Sequence, residues 1–553
     1  VSVKGINPSW LDKVASAISP AWGASRLRSK VTIGAMTHAG LVIPGSRRKS
    51  MKGVSATANS PDADIIPKLG GTRALGRDLF MNSPLATSIL RRHRIMSIGS
   101  GLQLQSSIDR DYLGLDADAA EGYERTIERE FDLWAESFNS DFDGLNYYGD
   151  NQALGYLNML MSGDFFFMPV WRPPLERGFP YELCIKLIDA DLVRNPSNVN
   201  NKNIKGGVEK DNSGRVSGYH VWNTYPNEFR LSSPALGKST FVPVYDESGR
   251  QQIYHVFDPE RISQRRGVAL LANVADQLKQ LTRLSEAELM SALVSSFFTV
   301  FVKDMSGLGT LMGPALTPQE TVTGGGRYGP NEEEVSARTP VDGNDIEMGH
   351  GNVTYVDDKK DITIADPNKT DSNFAKFWDG IATQISGAAN QPIEQAVMKY
   401  TTSYTAARAA ANDVWQYRLT ARTLINRKMN IPVFREQMSE GILRGRIDAP
   451  GYFDDYATMR AWTRSTWVGS GRGTLDPLRE AKGSVIELNS FLTTHEQEFV
   501  SKHGGRWDAA MDRRAREQLI IERSGLINTP NKEELVGPDG QEDEDADEAD
   551  KNT

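Results

Sequence analysis

The sequence predicts an α+β chain organised around one long helix that needs neighbours along its length. Three patterns carry this reading. Short β-type runs concentrate between residues 165 and 257, an unbroken helical seam spans Val268 to Phe297, and helical periodicity dominates on either side.

The first helical stretch is residues 73–99, where Leu75, Leu79, Leu85 and Ile89 share a face and Pro84 restarts the helix. Its basic end, Arg91-Arg92-His93-Arg94, suits a helix C-terminus better than a DNA contact. Helical spacing returns over Tyr123–Trp134 and Leu154–Met161. The run from Phe165 to Trp171 then reads as a buried strand. Further strands are expected at Tyr181–Ile188, from Gly206-Gly207, at Tyr219–Trp222, Val242–Tyr245 and Ile253–Phe257, with Asp211–Gly214 as a hairpin turn.

From Val268 to Phe297, Leu271, Val274, Leu278 and Leu281 recur at spacings of three and four, followed by Leu289, Leu293 and Phe297. Asp276, Lys279, Gln280, Arg283, Glu286 and Glu288 fill the other side. A helix of about 30 residues is about 45 Å long. With so narrow a seam, it is expected to need neighbours along its length. Residues 303–351 are Gly-rich and polar, a long loop or small extension, and strands return at Val353–Val356 and Ile362–Ile364. A second helix is expected over Phe374–Ile385, a break at Gly387–Pro392, a helix from about Ser403 to Lys428, and more helices after Pro432.

Composition bounds the classes. At roughly 150 residues per domain, 553 residues suggest three or four domains. A hydrophobic content of 39% with 49 Gly is that of a globular protein. The single cysteine, Cys184, excludes an internal disulfide framework and any zinc site of several Cys, and fits a reducing compartment. The 14 uncharged residues Leu289–Val302 fall short of the roughly 18 a membrane span needs, and the first residues show no secretory signal, so no membrane association is expected. The net charge of −9 resides entirely in residues 533–553, with ten acids and one base, whereas residues 1–60 carry +8. Both ends are poor in aromatics and read as tails that cannot fold alone.

Catalytic signatures are missing or incomplete. His495-Glu496-Gln497-Glu498-Phe499 lacks the second His of a zinc-protease helix, and Thr493 with Glu496 reads instead as a capping box. Gly469–Gly473 and Gly324–Gly326 lack the Lys-Ser/Thr of a phosphate loop. The seven histidines show no ligand spacing, and Asp62, Asp64 and Asp189 read as caps and turns. No catalytic residue, metal site or cofactor is expected.

The block Phe257-Asp258-Pro259-Glu260-Arg261, then Arg266-Gly267-Val268-Ala269-Leu270-Leu271, resembles the portal proteins of tailed bacteriophages, of the lambda type. So do Gly163-Asp164-Phe165, Leu187–Val193, Tyr404–Arg408, Trp467–Arg472, Leu475–Glu480 and Thr493–Glu498. The resemblance covers roughly residues 75–525. It implies a homo-oligomeric ring, typically of twelve subunits, at the portal vertex of the virion, passing double-stranded DNA without sequence specificity during packaging and ejection. Implied partners are the large terminase subunit, head–tail completion or adaptor proteins, and the major capsid protein and scaffold. The implied parts are a basic arm (1–72), an α+β wing (73–267), a stem helix (268–297), a clip (298–366), a second stem helix (367–386), a tunnel loop (387–402), a long helix with a wing/crown connection (403–480), crown helices (481–530) and an acidic tail (531–553). Expected channel residues are Gln391, Glu394, Gln395, Lys399 and Tyr400, with Lys279 and Arg283 on the stem; the alternative is that the 391–400 segment only caps the crown. Expected subunit-interface residues are Leu271, Val274, Leu278, Leu281, Leu289 and Leu293. The rival readings are a metal-dependent phage nuclease, and a capsid or tail-ring protein of another fold.

Overall fold

The computed structural model describes residues 58–196, 203–226, 237–296, 374–400, 403–473 and 477–524. The predicted clip, the acidic tail and nearly all of the basic arm lie outside the described residues. The chain divides into two units, residues 1–64 and 65–553. Every helix from Leu69 onward and every described strand lies in the second unit.

Helices α1 (Leu69–Asn82) and α2 (Pro84–Ser97) form the expected interrupted pair. Pro84 has no N–H to continue α1, but its fixed φ suits the first turn of α2. Leu79, Leu85 and Ile89 are buried on their shared face. Helix α3 (Ala117–Ala135) starts at Asp116, whose carboxylate accepts the Ala119 N–H at 2.7 Å, and α4 is Tyr148–Ser162.

Two antiparallel sheets follow. We number β1 as Gln103–Ser106, β2 as Asp164–Trp171, β3 as Leu183–Asp189 and β8 as Tyr254–Phe257; the first sheet has the order β3-β2-β8. Strand β2 is apolar on both faces because it is the central strand, and Phe167 stacks on Tyr254 with ring centroids 4.7 Å apart. Pairing with β8 covers only residues 164–167, so Pro169 lies beyond it, where a missing N–H costs no ladder bond on that side. The second sheet runs in chain order through β4 (Ile204–Lys205), β5 (Val208–Lys210), β6 (Val216–Trp222) and β7 (Ser239–Pro243). Gly206-Gly207 is therefore not a strand start but the two-residue turn joining β4 to β5. Its φ values are 59° and 78°, left-handed at both positions.

The long helix is shorter than its periodicity. Helix α5 is Ala275–Ser296, 22 residues, about 33 Å long. Leu271 and Val274 precede it, in turns. There the Leu270 N–H donates to the Leu160 carbonyl at 2.9 Å, tying the chain to α4 before it winds. Helix α6 (Phe374–Ala388) runs to the expected break, and the supposed tunnel loop contains a short helix, α7 (Ile393–Val397). Helix α8 (Tyr404–Ile425), capped by Ser403, does not end near Lys428. It passes through a π turn, Asn426–Asn430, into α9 (Ile431–Leu443). The widened turn relieves the clash of the Pro432 ring with the turn before it.

Helix α10 (Tyr456–Trp462) leads to β9 (Ser465–Val468), which pairs with the distant β1. Helices α11 (Pro477–Asn489), α12 (His495–Lys502) and α13 (Trp507–Ser524) complete the described chain. One core unites α3, α4, α9 and β9. Phe131 meets Tyr148, Phe434 and Trp467 edge-on at centroid distances of 5.4–5.9 Å, the geometry aromatic quadrupoles favour.

Candidate functional site at the approach to helix α5

Three of the motif blocks singled out in the sequence, residues 163–165, 187–193 and 257–271, meet at one buried carboxylate. Asp164, at the start of β2, is wholly buried. Its Oδ1 accepts from Arg73 Nη2 at 2.7 Å and Arg266 Nη2 at 3.1 Å; its Oδ2 accepts from Arg266 Nε at 2.6 Å, His255 Nε2 at 3.1 Å and the Gly267 N–H at 3.2 Å. Arg266 spends its remaining donors on the carbonyls of Val193, Gly206 and Ala190, and Arg73 reaches the carbonyls of Ser162 and Ala190. One cluster thereby clamps α1, both sheets and the approach to α5.

Burial alone would raise the Asp164 pKa, but Arg266 and Arg73 with the His255 hydrogen bond hold it well below the ordinary carboxylate value. Burial, with the neighbouring Arg266 charge, pulls Arg73 down to about 10. Burial pushes His255 down to about 4 against the pull of Asp164, so the ring is neutral at pH 7. Because the carboxylate only accepts, Nε2 carries the His255 proton. Every polar atom of Asp164 is committed to structure. Among the described residues no group of His, Cys, Asp or Glu could hold a metal ion. Directly after it, a Cβ on Gly267 would lie 1.9 Å from the Gly163 carbonyl oxygen, so the chain leading to α5 passes where two glycine backbones touch.

The predicted interface seam splits in two. Leu271, Val274, Leu278 and Leu281 are buried in the chain's own core, so these four need no neighbouring subunit. The periodicity was that of burial, but the partner is the same chain's body. Leu289 and Leu293 are exposed, at 61% and 45%. On the polar side, Lys279 forms an ion pair with Asp78 of α1, while Arg283 is exposed.

The channel candidates also divide. Gln391 is only 4% exposed, which removes it from any contact with DNA: the turn at Ala389–Gln391 is folded under, with the Ala389 carbonyl 2.8 Å from His93 Nε2. Burial lowers His93 to about 4, so it too is neutral at pH 7 and donates to that carbonyl. Gln395 accepts from Arg418 at 2.6 Å, and Glu394 is half-buried. Lys399 and Tyr400 remain exposed. Sequence reasoning missed two buried cations on α8. Arg422 donates through Nε to the Ser97 carbonyl at 2.7 Å and through Nη2 to the Ser470 carbonyl at 2.8 Å, satisfying the carbonyl end of α2. Nothing in the spacing of α8 marks Arg418 or Arg422 as inward-facing.

Compared with known proteins, residues 47–422 match the family model described as phage portal protein, lambda family. The chain belongs to that family. It is accordingly a structural component of a phage virion, acting at the head–tail connection of the portal vertex, and not an enzyme. The nuclease reading is thereby set aside. Among curated relatives, the portal protein of Escherichia phage N15 is 24% identical over 86% of this chain and 89% of its own length. Portal protein B of Escherichia phage lambda is also 24% identical, over 85% and 87%. Among solved structures, a chain from the virion of a native gene transfer agent particle aligns with a TM-score of 0.36 at 13% identity, covering 78% of this chain and 92% of that one. A chain from the neck of a native particle of this kind, computed with C12 symmetry, aligns with a TM-score of 0.34 at 12% identity, with the same coverage.

Proposed function

We propose that copies of this chain close into a ring of twelve around a channel that passes double-stranded DNA into the capsid and out again. The division into wing, stem, clip, tunnel segment and crown is part of this reading. One observation carries it. Helix α5 packs against α6 and is rooted in the body by Leu278 and Leu281, yet beyond that point it presents Leu289 and Met290, and α6 presents Phe377, all more than half exposed. Aliphatic and aromatic side chains so placed on paired helices gain about 1.5–3 kcal/mol each when buried, and a heterologous contact repeated around a closed ring buries them all at once.

Exposed Arg283, Lys399 and Tyr400 remain the candidates for loose contact with the DNA backbone. Few cations suit a conduit, because each phosphate neutralised tightens binding and slows passage. The partners in this reading are the large terminase subunit during packaging, head–tail completion or adaptor proteins afterwards, and the major capsid protein and scaffold during assembly.

Electron microscopy of the purified full-length chain tests the proposal. Rings with a central hole wide enough for a duplex are expected, and Leu289→Asp combined with Phe377→Asp is expected to abolish them while leaving far-UV circular dichroism unchanged. Normal rings from the double variant, or a monomer under all assembly conditions, defeat it.

A further inference from the structure

We propose that a cationic cleft in the body docks the chain's own acidic C-terminal segment, residues 533–553. The cleft, about 1030 Å³, lies between β8 and the 427–459 region, with Trp171 at one side. Its charges are unevenly satisfied. Arg250 pairs with Glu436 at 3.2 Å while its guanidinium stacks on Trp171, and Arg444 pairs with Glu440 at 2.7 Å. Arg427 and Arg435 form no ion pair among the described residues, and the Arg435 Nε is buried without a hydrogen-bond partner. Among the described residues Lys428 donates to the Phe257 carbonyl, with Asp258 the acid acting on it from outside the lining. Beside these cations the rim is apolar and exposed: Leu443, Phe453 and Tyr456.

A ligand for this surface carries aliphatic anchors next to a run of carboxylates. The chain's own end has that composition, with Leu535-Val536 followed by seven acids among the nine residues 542–550. The charge of the whole segment, −9, is opposite to that of the unpaired lining. The 18 residue steps from Ser524 to Glu542 extend up to roughly 60 Å, comparable with the diameter of a folded body of this size. A tether that long allows docking without strain and keeps the local concentration of the tail high. The inference does not depend on the ring.

The full-length chain treated with a zero-length carbodiimide at low ionic strength is expected to give a cross-link between Lys428 and a carboxylate of residues 542–550. Mass spectrometry of mixed isotope-labelled and unlabelled chains should place that link within one chain. High salt should suppress it, as it does contacts between exposed charges. Arg427→Glu with Arg435→Glu should remove the link at an unchanged melting temperature, and the Lys pair at both positions should retain it. A labelled peptide of residues 533–553 is expected to bind a chain ending at residue 532 and to be excluded from the full-length chain. Absence of the link, its survival in the Glu double variant, links between chains of different isotope, or equal peptide binding to both chains each overturn the proposal.

Discussion

Arg266 grips Asp164 with two donors, Nε to Oδ2 at 2.6 Å and Nη2 to Oδ1 at 3.1 Å, and neither side chain has any exposed surface. The two residues are 102 positions apart, so this bidentate pair ties the start of β2 to the segment that leads into α5. Removing Asp164 leaves the buried Arg266 without a carboxylate, and removing Arg266 leaves the buried Asp164 with Arg73 as its cation.

Arg266→Ala is expected to destabilise the chain by about 3–5 kcal/mol, because Asp164 loses two of its five hydrogen bonds and the Val193 and Gly206 carbonyls lose the Arg266 donor. Asp164→Asn should cost a comparable amount by leaving the buried Arg266 without a carboxylate and Arg73 with Asp191 alone. Urea denaturation followed by tryptophan fluorescence measures both; a loss under about 1 kcal/mol would show that the cluster is not an anchor.

The two buried histidines make stability depend on pH. His93 and His255 titrate near 4 in the folded chain, against about 6.5 when unfolded. Between those values the unfolded state binds more protons, so stability rises with pH, is complete above about 6.5, and falls as pH drops toward 4. A shift of about 2.5 units is worth roughly 3 kcal/mol for each ring. Asp164 acts lower: its stabilisation is present above the unfolded carboxylate value and is lost only as pH falls through its depressed folded pKa. Urea midpoints at pH 7 and pH 5 should therefore differ, and His93→Gln should narrow the difference. An unchanged slope in that variant rules out His93 as a contributor.

Leu278→Asp separates core from interface. Leu278 is 1% exposed inside the chain's own core, so an aspartate there should prevent folding of the body itself, and Leu278→Ala should cost about 2–5 kcal/mol. Soluble, well-folded Leu278→Asp protein that merely fails to form rings would restore the residue to the interface. Circular dichroism and size-exclusion chromatography distinguish the two outcomes.

Legibility in the sequence followed local pattern. The strand at residues 164–171 was readable because a central strand is apolar on both faces, and α1 and α2 because their apolar residues recur at helical spacing around a single proline. Strand β1 was not: Gln-Leu-Gln-Ser is short and polar, and its partner β9 lies some 360 residues away. The π turn before Pro432 was equally hidden, since only the continued helix shows that the proline is accommodated.

The order of elements, the basic and acidic ends of the chain, the kinship with portal proteins and the lack of catalytic signatures were all written in residue order and composition. Those properties depend on near neighbours and on counts. Which leucines of the seam face the chain's own core, that Gln391 is tucked inside, and that Asp164 gathers Arg73, His255 and Arg266 were settled by packing. Apolar spacing marks which side of a helix will be buried, but not against what, and an ion cluster assembled from four separate segments leaves no periodic trace in any one of them.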